Sequence, residues 1–242
     1  MQSVINDKPK DFFDVVIIGA GLSGIGAACH LTKKMPNKTY VVLESRNNMG
    51  GTWDLFRYPG IRSDSDMHTL GYSFKPWRHK KSIADGSSIL SYIQETAEEY
   101  DVQKKIRYGS QVKSVSWDSV KAIWSIKLSG LGHQPTTINC SYIYSCTGYY
   151  RYDEGYRPEF SNLESFSGQI IHPQHWPDNF NYDGKSVVVI GSGATAITLV
   201  PAMAKSAKHV TMLQRSPTYV ISSPSIDKLA ARLERFLPDR MA

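Results

Sequence analysis

Residues 15–24 read VVIIGAGLSG, an apolar run followed at once by a glycine-rich turn. A continuous apolar run of this kind is typical of a central parallel strand that is buried on both faces. After the turn, the sequence favours a helix from about Leu22 to Lys34 and a second strand from Thr39 to Leu43, which ends at Glu44. We therefore predict a βαβ unit of the dinucleotide-binding type.

Each glycine of this first turn has a physical role in such a unit. Gly19 permits the tight turn, Gly21 lets the backbone approach a pyrophosphate, and Gly24 lets helix and strand pack closely. The amino end of the helix, where Ser23 lies, offers a diphosphate free N–H groups and about half a positive charge. Glu44 can accept hydrogen bonds from an adenosine ribose. The turn is therefore predicted to hold an adenine dinucleotide.

A second unit of the same kind begins near residue 185. An apolar strand from Lys185 to Ile190 precedes residues 191–196, GSGATA, and a further strand from His209 to Leu213 ends at Gln214 and Arg215. Alanine in the third glycine place still permits close packing. An acidic residue at the strand end would repel a 2′-phosphate, whereas Arg215 can hold one through charge-assisted hydrogen bonds. The second unit is therefore predicted to take NADPH.

Two further stretches resemble a known family, the Baeyer–Villiger flavin monooxygenases. Residues 166–177, FSGQIIHPQHWP, lie between the two turns and are similar to the fingerprint F-x-G-x-x-x-H-x-x-x-W-P. Its five defining places are occupied by Phe166, Gly168, His172, Trp176 and Pro177. Residues 50–67, GGTWDLFRYPGIRSDSDM, resemble the subgroup that contains the ethionamide-activating and long-chain alkane monooxygenases. Read alone, the stretch 166–177 is also compatible with an ordinary interdomain linker.

The resemblance implies an α/β fold with two Rossmann-like dinucleotide-binding domains, one for FAD and one for NADPH. It places an FAD-binding domain at 1–150, a linker at 151–184, the start of an NADPH-binding domain at 185–222 and the start of a helical domain at 223–242. Alternating apolar residues within 106–128 predict a small antiparallel β-meander in the first domain.

The same resemblance, carried over position by position, implies the cofactor contacts. Those to FAD fall at Gly19, Gly21, Ser23, Gly24, Glu44, Gly51, Thr52, Trp53, Asp54, Leu55, Asp64 and Val112. Those to NADPH fall at Arg62, Ser63, Asp64, Gly191, Ser192, Gly193, Ala194, Thr195, Ala196, Ile197, Gln214 and Arg215. Val112 is explained equally well as a core valine. Asp64 and Asp66 are also compatible with a solvated turn that caps a helix, and for Asp66 this is the preferred interpretation.

The resemblance also suggests three residues for the reaction itself. Asp64 would orient the arginine that relatives place beside the flavin, and no counterpart of that arginine is present in this chain. His172 and Trp176 would couple domain movement to the position of the nicotinamide. We interpret these two as mechanical residues rather than as an acid or a base. Cys146 is interpreted as a small buried side chain rather than a nucleophile.

The predicted function is an FAD- and NADPH-dependent monooxygenase that transfers one oxygen atom of O₂ to a small apolar substrate. A ketone, a sulfide and an alkane-derived compound all remain open. The chief alternative is a truncated, inactive cofactor-binding fragment, because relatives are about twice as long. We expect the 242-residue chain alone to hold little FAD and to lack coupled oxygenation. A disulfide reductase shares the two-nucleotide layout but needs a C-x-x-C pair, and the sequence has none.

The composition of the chain indicates its cellular compartment and argues against some kinds of binding site. The chain has 242 residues, 41% hydrophobic and 21% charged, with net charge +6. Its densest basic run, RHKK at 78–81, reads as a solvated surface rather than a nucleic-acid site. Three cysteines without a framework fit a reducing compartment, so we expect a cytoplasmic protein. No metal-ligand cluster, signal peptide or 18-residue apolar run is evident.

The remaining stretches give coarser predictions. Residues Ser87 to Lys104 are predicted to form an amphipathic helix, and Tyr142 to Gly148 a final strand of the first sheet. An amphipathic segment from Ser225 to Leu237 is expected to be a helix covered by a domain beyond it, with peripheral membrane contact as the alternative.

Overall fold

The structure, a computed structural model, contains two compact units. It describes residues 11–130, 133–222 and 224–227. The first unit comprises Met1–Asp54 and Leu90–Tyr149, and the second comprises Leu55–Ile89 and Tyr150–Ala242. The helices are α1 (Leu22–Lys34), α2 (Thr52–Leu55), α3 (Met67–Leu70), α4 (Gly86–Glu99) and α5 (Ala194–Met203). The domain boundaries derived from the sequence stay a prediction.

The first unit contains one sheet of six strands. They are β1 (Phe12–Ile18), β2 (Tyr40–Leu43), β3 (Ile106–Arg107), β4 (Ser110–Asp118), β5 (Ile123–Gly130) and β6 (His133–Ser145). Their order is β3-β2-β1-β6-β5-β4. β1 is parallel to both β2 and β6, whereas β5 is antiparallel to β4 and β6. The α/β class and the antiparallel meander are therefore confirmed.

The first βαβ unit forms as the sequence predicted. Helix α1 has the predicted bounds, Leu22–Lys34, and β1 pairs with β2 in parallel register from Val15 opposite Tyr40 to Ile18 opposite Leu43. The centre of the sheet is apolar because Val16, Ile17 and Val42 are fully buried. Burial of such aliphatic side chains on both faces is what makes a continuous apolar strand stable in a parallel sheet.

The predicted bounds of one helix and one strand need correction. The helix predicted for Ser87 to Lys104 is α4, which ends at Glu99, because Asp101 adopts a positive φ of 55° and stops it. The last strand begins at His133 rather than Tyr142. Its first half pairs with β5 and its second half with β1, so its length comes from two different partners. The sequence of β6 itself does not indicate which strands pair with it, so it could not predict the length of this strand.

The second unit contains the second βαβ. β7 (Ser186–Ile190) and β8 (His209–Leu213) are parallel and in register from Ser186 opposite His209, and α5 lies between them in the chain. The core of this unit joins buried Val189, Leu199 and Met203 to Phe56 and Tyr58. The segment that follows α2 is therefore part of the second hydrophobic core.

The turn after Tyr58 fits closely on α5. Gly60 has a φ of +80°, and a Cβ there would lie 2.6 Å from both the Ala202 Cβ and the Thr198 carbonyl oxygen. The Thr198 hydroxyl also lies 3.4 Å from the Tyr58 hydroxyl. Glycine is therefore required at position 60 for its conformation and for the close approach.

The predicted helix from Ser225 to Leu237 lies outside the described residues beyond position 227. Within the described ranges, no helix has the length and apolar character needed to cross a membrane.

Candidate dinucleotide-binding sites

The first glycine turn has the geometry expected of a dinucleotide site. Gly19 has a φ of +103°, and a Cβ there would overlap the carbonyl oxygen of Cys146. A Cβ at Gly24 would overlap the Gly19 carbonyl. These contacts confirm the structural reasons predicted for both glycines. Gly21 differs, since a Cβ there would meet the Gly51 Cα at 3.6 Å and the Gly51 nitrogen at 4.0 Å, both ordinary contacts.

The amino end of α1 suits an anion. Gly21 is its N-cap and provides no side-chain hydrogen bond, and the first turn contains no acidic residue. The helix is 13 residues long, so its free N–H groups and dipole favour negative charge at this end. Ser23 is exposed in that turn. These features fit the diphosphate of a dinucleotide.

Glu44 is buried and held in place by the backbone. It is 5% exposed, its Oε2 accepts a hydrogen bond from the Ala20 N–H at 2.8 Å, and its Oε1 accepts one from the Arg46 N–H at 2.9 Å. The carboxylate therefore joins the first turn to the end of β2. The Ser45 hydroxyl also donates to Oε1, at 3.4 Å, whereas Oε2 retains a lone pair that can accept a hydrogen bond from a ribose hydroxyl.

The loop before α2 is anchored to the same turn. The Gly50 N–H donates to the Ala20 carbonyl at 2.9 Å, and Gly50 and Gly51 both have positive φ, 114° and 56°. Asp54 is buried, and its Oδ2 lies 2.7 Å from Nη2 of Arg46. Arg46 was not among the residues predicted from the sequence. The one local signal for it was its position two places after Glu44.

Three other predicted FAD residues are divided between the two units. Val112 lies on β4 opposite Leu128 and packs against the sheet core, as the core-valine interpretation predicted. Leu55 and Asp64 fall within the second unit. The FAD contacts assigned to these three residues stay a prediction.

The side chains of residues 62–66 differ in their exposure to solvent. Arg62 and Asp64 are exposed, whereas Ser63 is buried, with its hydroxyl 2.6 Å from the Ser65 carbonyl. Asp66 caps α3, as its helix-cap interpretation predicted, because its Oδ1 accepts from the Thr69 N–H at 2.9 Å. That hydrogen bond lowers the pKa of Asp66. Arg62 and Asp64 thus remain accessible to a ligand, while Ser63 and Asp66 shape the turn.

The second glycine turn leaves more room than the first. Gly191 has a φ of +136°, and no described atom would lie within 4 Å of a Cβ at Gly191 or Gly193. Gly193 is the N-cap of α5 and forms no side-chain hydrogen bond. Ala196, in the third glycine place, is buried. An open surface before an uncapped helix end fits a phosphate group.

Three further predicted NADPH residues lie in this turn or directly after β8. Ser192 is tied to the chain after β8, because its hydroxyl lies 3.1 Å from the Ser216 carbonyl and its own carbonyl accepts from the Thr218 hydroxyl at 2.7 Å. Gln214 and Arg215 are exposed directly after β8. Glu44 follows β2 directly and Arg215 is the second residue after β8, so the two units carry opposite charges near the ends of these strands.

A cavity of about 340 Å³ adjoins the second turn. Its lining includes Gly191, Gly193 and Thr195 from the turn, together with Tyr156 and His172 from the preceding chain. The fingerprint histidine and the glycine turn therefore meet at one cavity within the second unit. Ala194 is the first residue of α5, and Ile197 lies three residues further along the same helix.

His172 is tightly enclosed by its neighbours. Its Nδ1 accepts a hydrogen bond from the Gln174 N–H at 3.2 Å, and a Cβ at Gly155 would overlap its ring. Burial lowers the pKa of His172, and His175 lowers it further, while a backbone hydrogen bond with Tyr156 raises it. The neutral ring is therefore favoured. Gly155 is a second residue that the sequence analysis missed.

Gln174 and Trp176 fix the rest of the fingerprint. The Gln174 side chain is buried, and its Nε2 donates to the carbonyls of Arg151 at 2.6 Å and Tyr152 at 3.1 Å. Trp176 packs edge-on against Phe180, with ring centroids 5.6 Å apart. The fingerprint thus joins the segment before it to the core around β7.

No cluster of histidine, cysteine, aspartate or glutamate that could hold a metal ion occurs in the described ranges. The three cysteines are free thiols, and burial raises the pKa of Cys146. A raised thiol pKa disfavours the nucleophilic thiolate.

Comparisons with known proteins agree with this geometry. Residues 13–229 match the family described as FMO-like, flavin-binding monooxygenase-like. The chain is 58% identical over 236 residues to MymA of Mycobacterium tuberculosis, a match that covers 94% of this chain and 47% of that protein. It is 54% identical over 233 residues to the FAD-containing monooxygenase EthA of Mycobacterium tuberculosis, covering 96% and 47%. The chain spans about half the length of the curated relatives it matches.

Solved structures of monooxygenases are also similar to this chain. The structure of an oxidized steroid monooxygenase bound to NADP is similar with a TM-score of 0.78 and 29% identity, over 93% of this chain and 42% of that one. An open crystal structure of cyclohexanone monooxygenase is similar with a TM-score of 0.79 and 26% identity, over 93% and 45%. The family resemblance seen in residues 50–67 and 166–177 is thereby confirmed.

Proposed function

Because the chain belongs to the flavin-binding monooxygenase-like family, we propose that it binds FAD at the first glycine turn and NADPH at the second. The proposed activity is the transfer of one oxygen atom of O₂ to a small apolar organic substrate. Ketone oxygenation of the Baeyer–Villiger type is the leading reaction, on the similarity to steroid and cyclohexanone monooxygenases. Sulfides and alkane-derived compounds are the other substrate classes.

One observation carries the assignment of the two cofactors, namely the opposite charges after β2 and β8. Glu44 is a buried carboxylate with both oxygens fixed by backbone N–H groups, a geometry that suits ribose hydroxyls. Arg215 is an exposed guanidinium two places after the end of β8, where it can pair with a 2′-phosphate. FAD carries free ribose hydroxyls at its adenosine end, and NADPH carries the phosphate.

The chain's own residues bind and position the cofactors. Bound at the first turn, FAD would supply the redox chemistry, taking a hydride from NADPH and reacting with O₂. Gly21 and the amino end of α1 offer the diphosphate a surface free of side chains, and Gly193 does the same at α5. The three free cysteines suit the reducing cytoplasm in which we place the protein.

For the fingerprint we propose a mechanical role. The His172 ring uses its Nδ1 to accept a backbone hydrogen bond, and Trp176 packs into the core that holds β7. Both contacts fix the chain that leads into the second turn. Asp64 is exposed, so it remains available to orient a partner group beside the flavin.

Isotopically labelled oxygen tests the proposed activity. The purified protein, loaded with FAD, would be supplied with NADPH, labelled O₂ and either a ketone or a sulfide. Labelled ester or sulfoxide in proportion to the NADPH consumed would support the proposed activity, and it would contradict the expectation that this chain alone lacks coupled oxygenation. NADPH oxidation without labelled product would favour a cofactor-binding chain that does not oxygenate. Absence of both FAD binding and NADPH oxidation would contradict the proposal.

A further inference from the structure

The side chain of Arg46 holds residues 50–55, which comprise the glycine pair and the short helix α2 and are called here the loop 50–55. Its Nη2 lies 2.7 Å from the Asp54 Oδ2, and its Nη1 lies 3.4 Å from the Gly51 carbonyl oxygen. The Asp54 side chain is 5% exposed and that of Arg46 25%, so the pair is largely removed from water. A buried carboxylate depends strongly on such a partner.

The backbone of Arg46 is held as firmly as its side chain. Its N–H donates to the Glu44 Oε1 at 2.9 Å, and its carbonyl accepts from the Gly109 N–H at 3.1 Å. One residue therefore joins the ribose carboxylate, the turn before β4 and the loop 50–55. All of these contacts lie within the first unit.

The loop needs this restraint because of its composition. Gly50 and Gly51 both have positive φ, and glycine has many alternative conformations of similar energy. The hydrogen bond from the Gly50 N–H to the Ala20 carbonyl, 2.9 Å long, fixes only the start of the loop. Its far end is fixed by the ion pair between Arg46 and Asp54.

We propose that Arg46 is a positioning residue for FAD, which holds the loop 50–55 in the conformation that receives the cofactor. This inference rests on the proposed function, since it requires FAD at the first glycine turn. Arg46 acts through the loop rather than on the diphosphate, because its charge is already paired with Asp54. The affinity for FAD should therefore follow the fraction of molecules in which the loop is formed.

The test compares Arg46→Met and Arg46→Lys with a matched control, Arg107→Met. Arg107 lies on β3 in the same sheet and packs over the Phe13 ring, 5.1 Å from its centroid. Its replacement removes the same charge without touching the loop contacts described above. Two quantities would be measured in the purified protein, the FAD dissociation constant by flavin fluorescence and the amide hydrogen exchange of residues 50–55 without FAD.

The expected result separates positioning from general stability. In Arg46→Met the loop amides exchange faster and the FAD dissociation constant rises about tenfold or more, as expected if the competent loop falls to a tenth of the population. Arg46→Lys recovers part of both effects, because one charged contact remains. Arg107→Met leaves both quantities unchanged. If Arg46→Met does not fold, the same two measurements on Arg46→Lys decide the question.

Two outcomes would overturn the inference, and both differ from failure of the proposed function. Wild-type affinity for FAD in the Arg46 variants, with or without a lower melting temperature, would make Arg46 a purely structural residue. An equal loss in Arg107→Met would show that charge, rather than loop position, matters. A wild-type protein that does not bind FAD would instead refute the proposed function itself.

Discussion

Individual glycines in the two turns are required for different reasons, and substitution can tell them apart. A Cβ at Gly24 would overlap the Gly19 carbonyl, a backbone atom that cannot move aside cheaply. No described atom lies within 4 Å of a Cβ at Gly193, and its φ of −76° suits any residue. Gly24 is therefore needed for folding, whereas Gly193 is needed only to leave space for a ligand.

Gly24→Ala should therefore affect stability, and Gly193→Ala should affect NADPH binding. We expect Gly24→Ala to lower the free energy of unfolding by about 1–3 kcal/mol, as overpacking does. Gly193→Ala should change it by less than about 0.5 kcal/mol while it weakens NADPH binding. Urea denaturation and NADPH titration measure the two quantities. Normal NADPH affinity in Gly193→Ala would show that the cofactor does not approach this turn.

His172 provides a prediction about pH. Burial lowers its pKa, so the folded protein favours the neutral ring that accepts the hydrogen bond from Gln174. The stability from this arrangement is present above the ordinary histidine pKa of about 6.5. It is lost as the pH falls through the lower, folded value.

An NMR titration of the His172 ring protons, assigned with His172→Asn, should give a midpoint below 6.5. Gly155→Ala should move that midpoint back toward 6.5, because a Cβ at position 155 would displace the ring from its enclosed position. A midpoint that is unchanged by Gly155→Ala would contradict the role we assign to Gly155.

At the scale of elements, the local sequence pattern predicted most of the helices and strands whose bounds depend on neighbouring residues. The bounds of α1 and the strand ending at Leu213 followed directly from apolar runs and glycine turns. β4 was harder, since a bulge between Val112 and Ser114 shifts its alternation, and Val115 ends up 46% exposed. Bulges change which face a residue occupies without any change in composition.

Elements and contacts that depend on distant partners could not be predicted. The extent of β6 is set by pairing with β5 at one end and β1 at the other. Arg46 and Gly155 have no motif of their own, and their roles come from contact with Asp54 and with the His172 ring. The candidate site was therefore predictable in its glycines and strand ends, but not in the residues that support them.

The turn that ends in Gly60 gives a prediction at this scale. Gly60→Ala and Gly184→Ala both place alanine at a positive φ, +80° and +67°, but only the first also introduces contacts with α5. We expect both to be destabilising, and Gly60→Ala to cost about 1–3 kcal/mol more than its control. Urea denaturation of the two variants gives the difference. Equal losses would mean that the turn does not pack tightly on α5.

For the whole molecule, the central feature is that one geometry occurs twice with opposite charge. Each βαβ unit presents an uncapped helix after a glycine turn, and each second strand is followed by a charged residue, Glu44 in one and Arg215 in the other. The chain spans about half the length of its curated relatives, and this half contains both turns. The proposed function of the whole molecule therefore depends on the binding of one cofactor at each turn.

The most direct test of that assignment measures FAD, NADPH and NADH affinity in two variants, Glu44→Gln and Arg215→Ala. Glu44→Gln should weaken FAD and leave NADPH unchanged. Arg215→Ala should weaken NADPH about ten- to a hundredfold, through the loss of about 1.5–3 kcal/mol in charge-assisted hydrogen bonds, and leave NADH and FAD nearly unchanged. Equal weakening of NADPH and NADH by Arg215→Ala, or loss of NADPH rather than FAD in Glu44→Gln, would contradict the assignment.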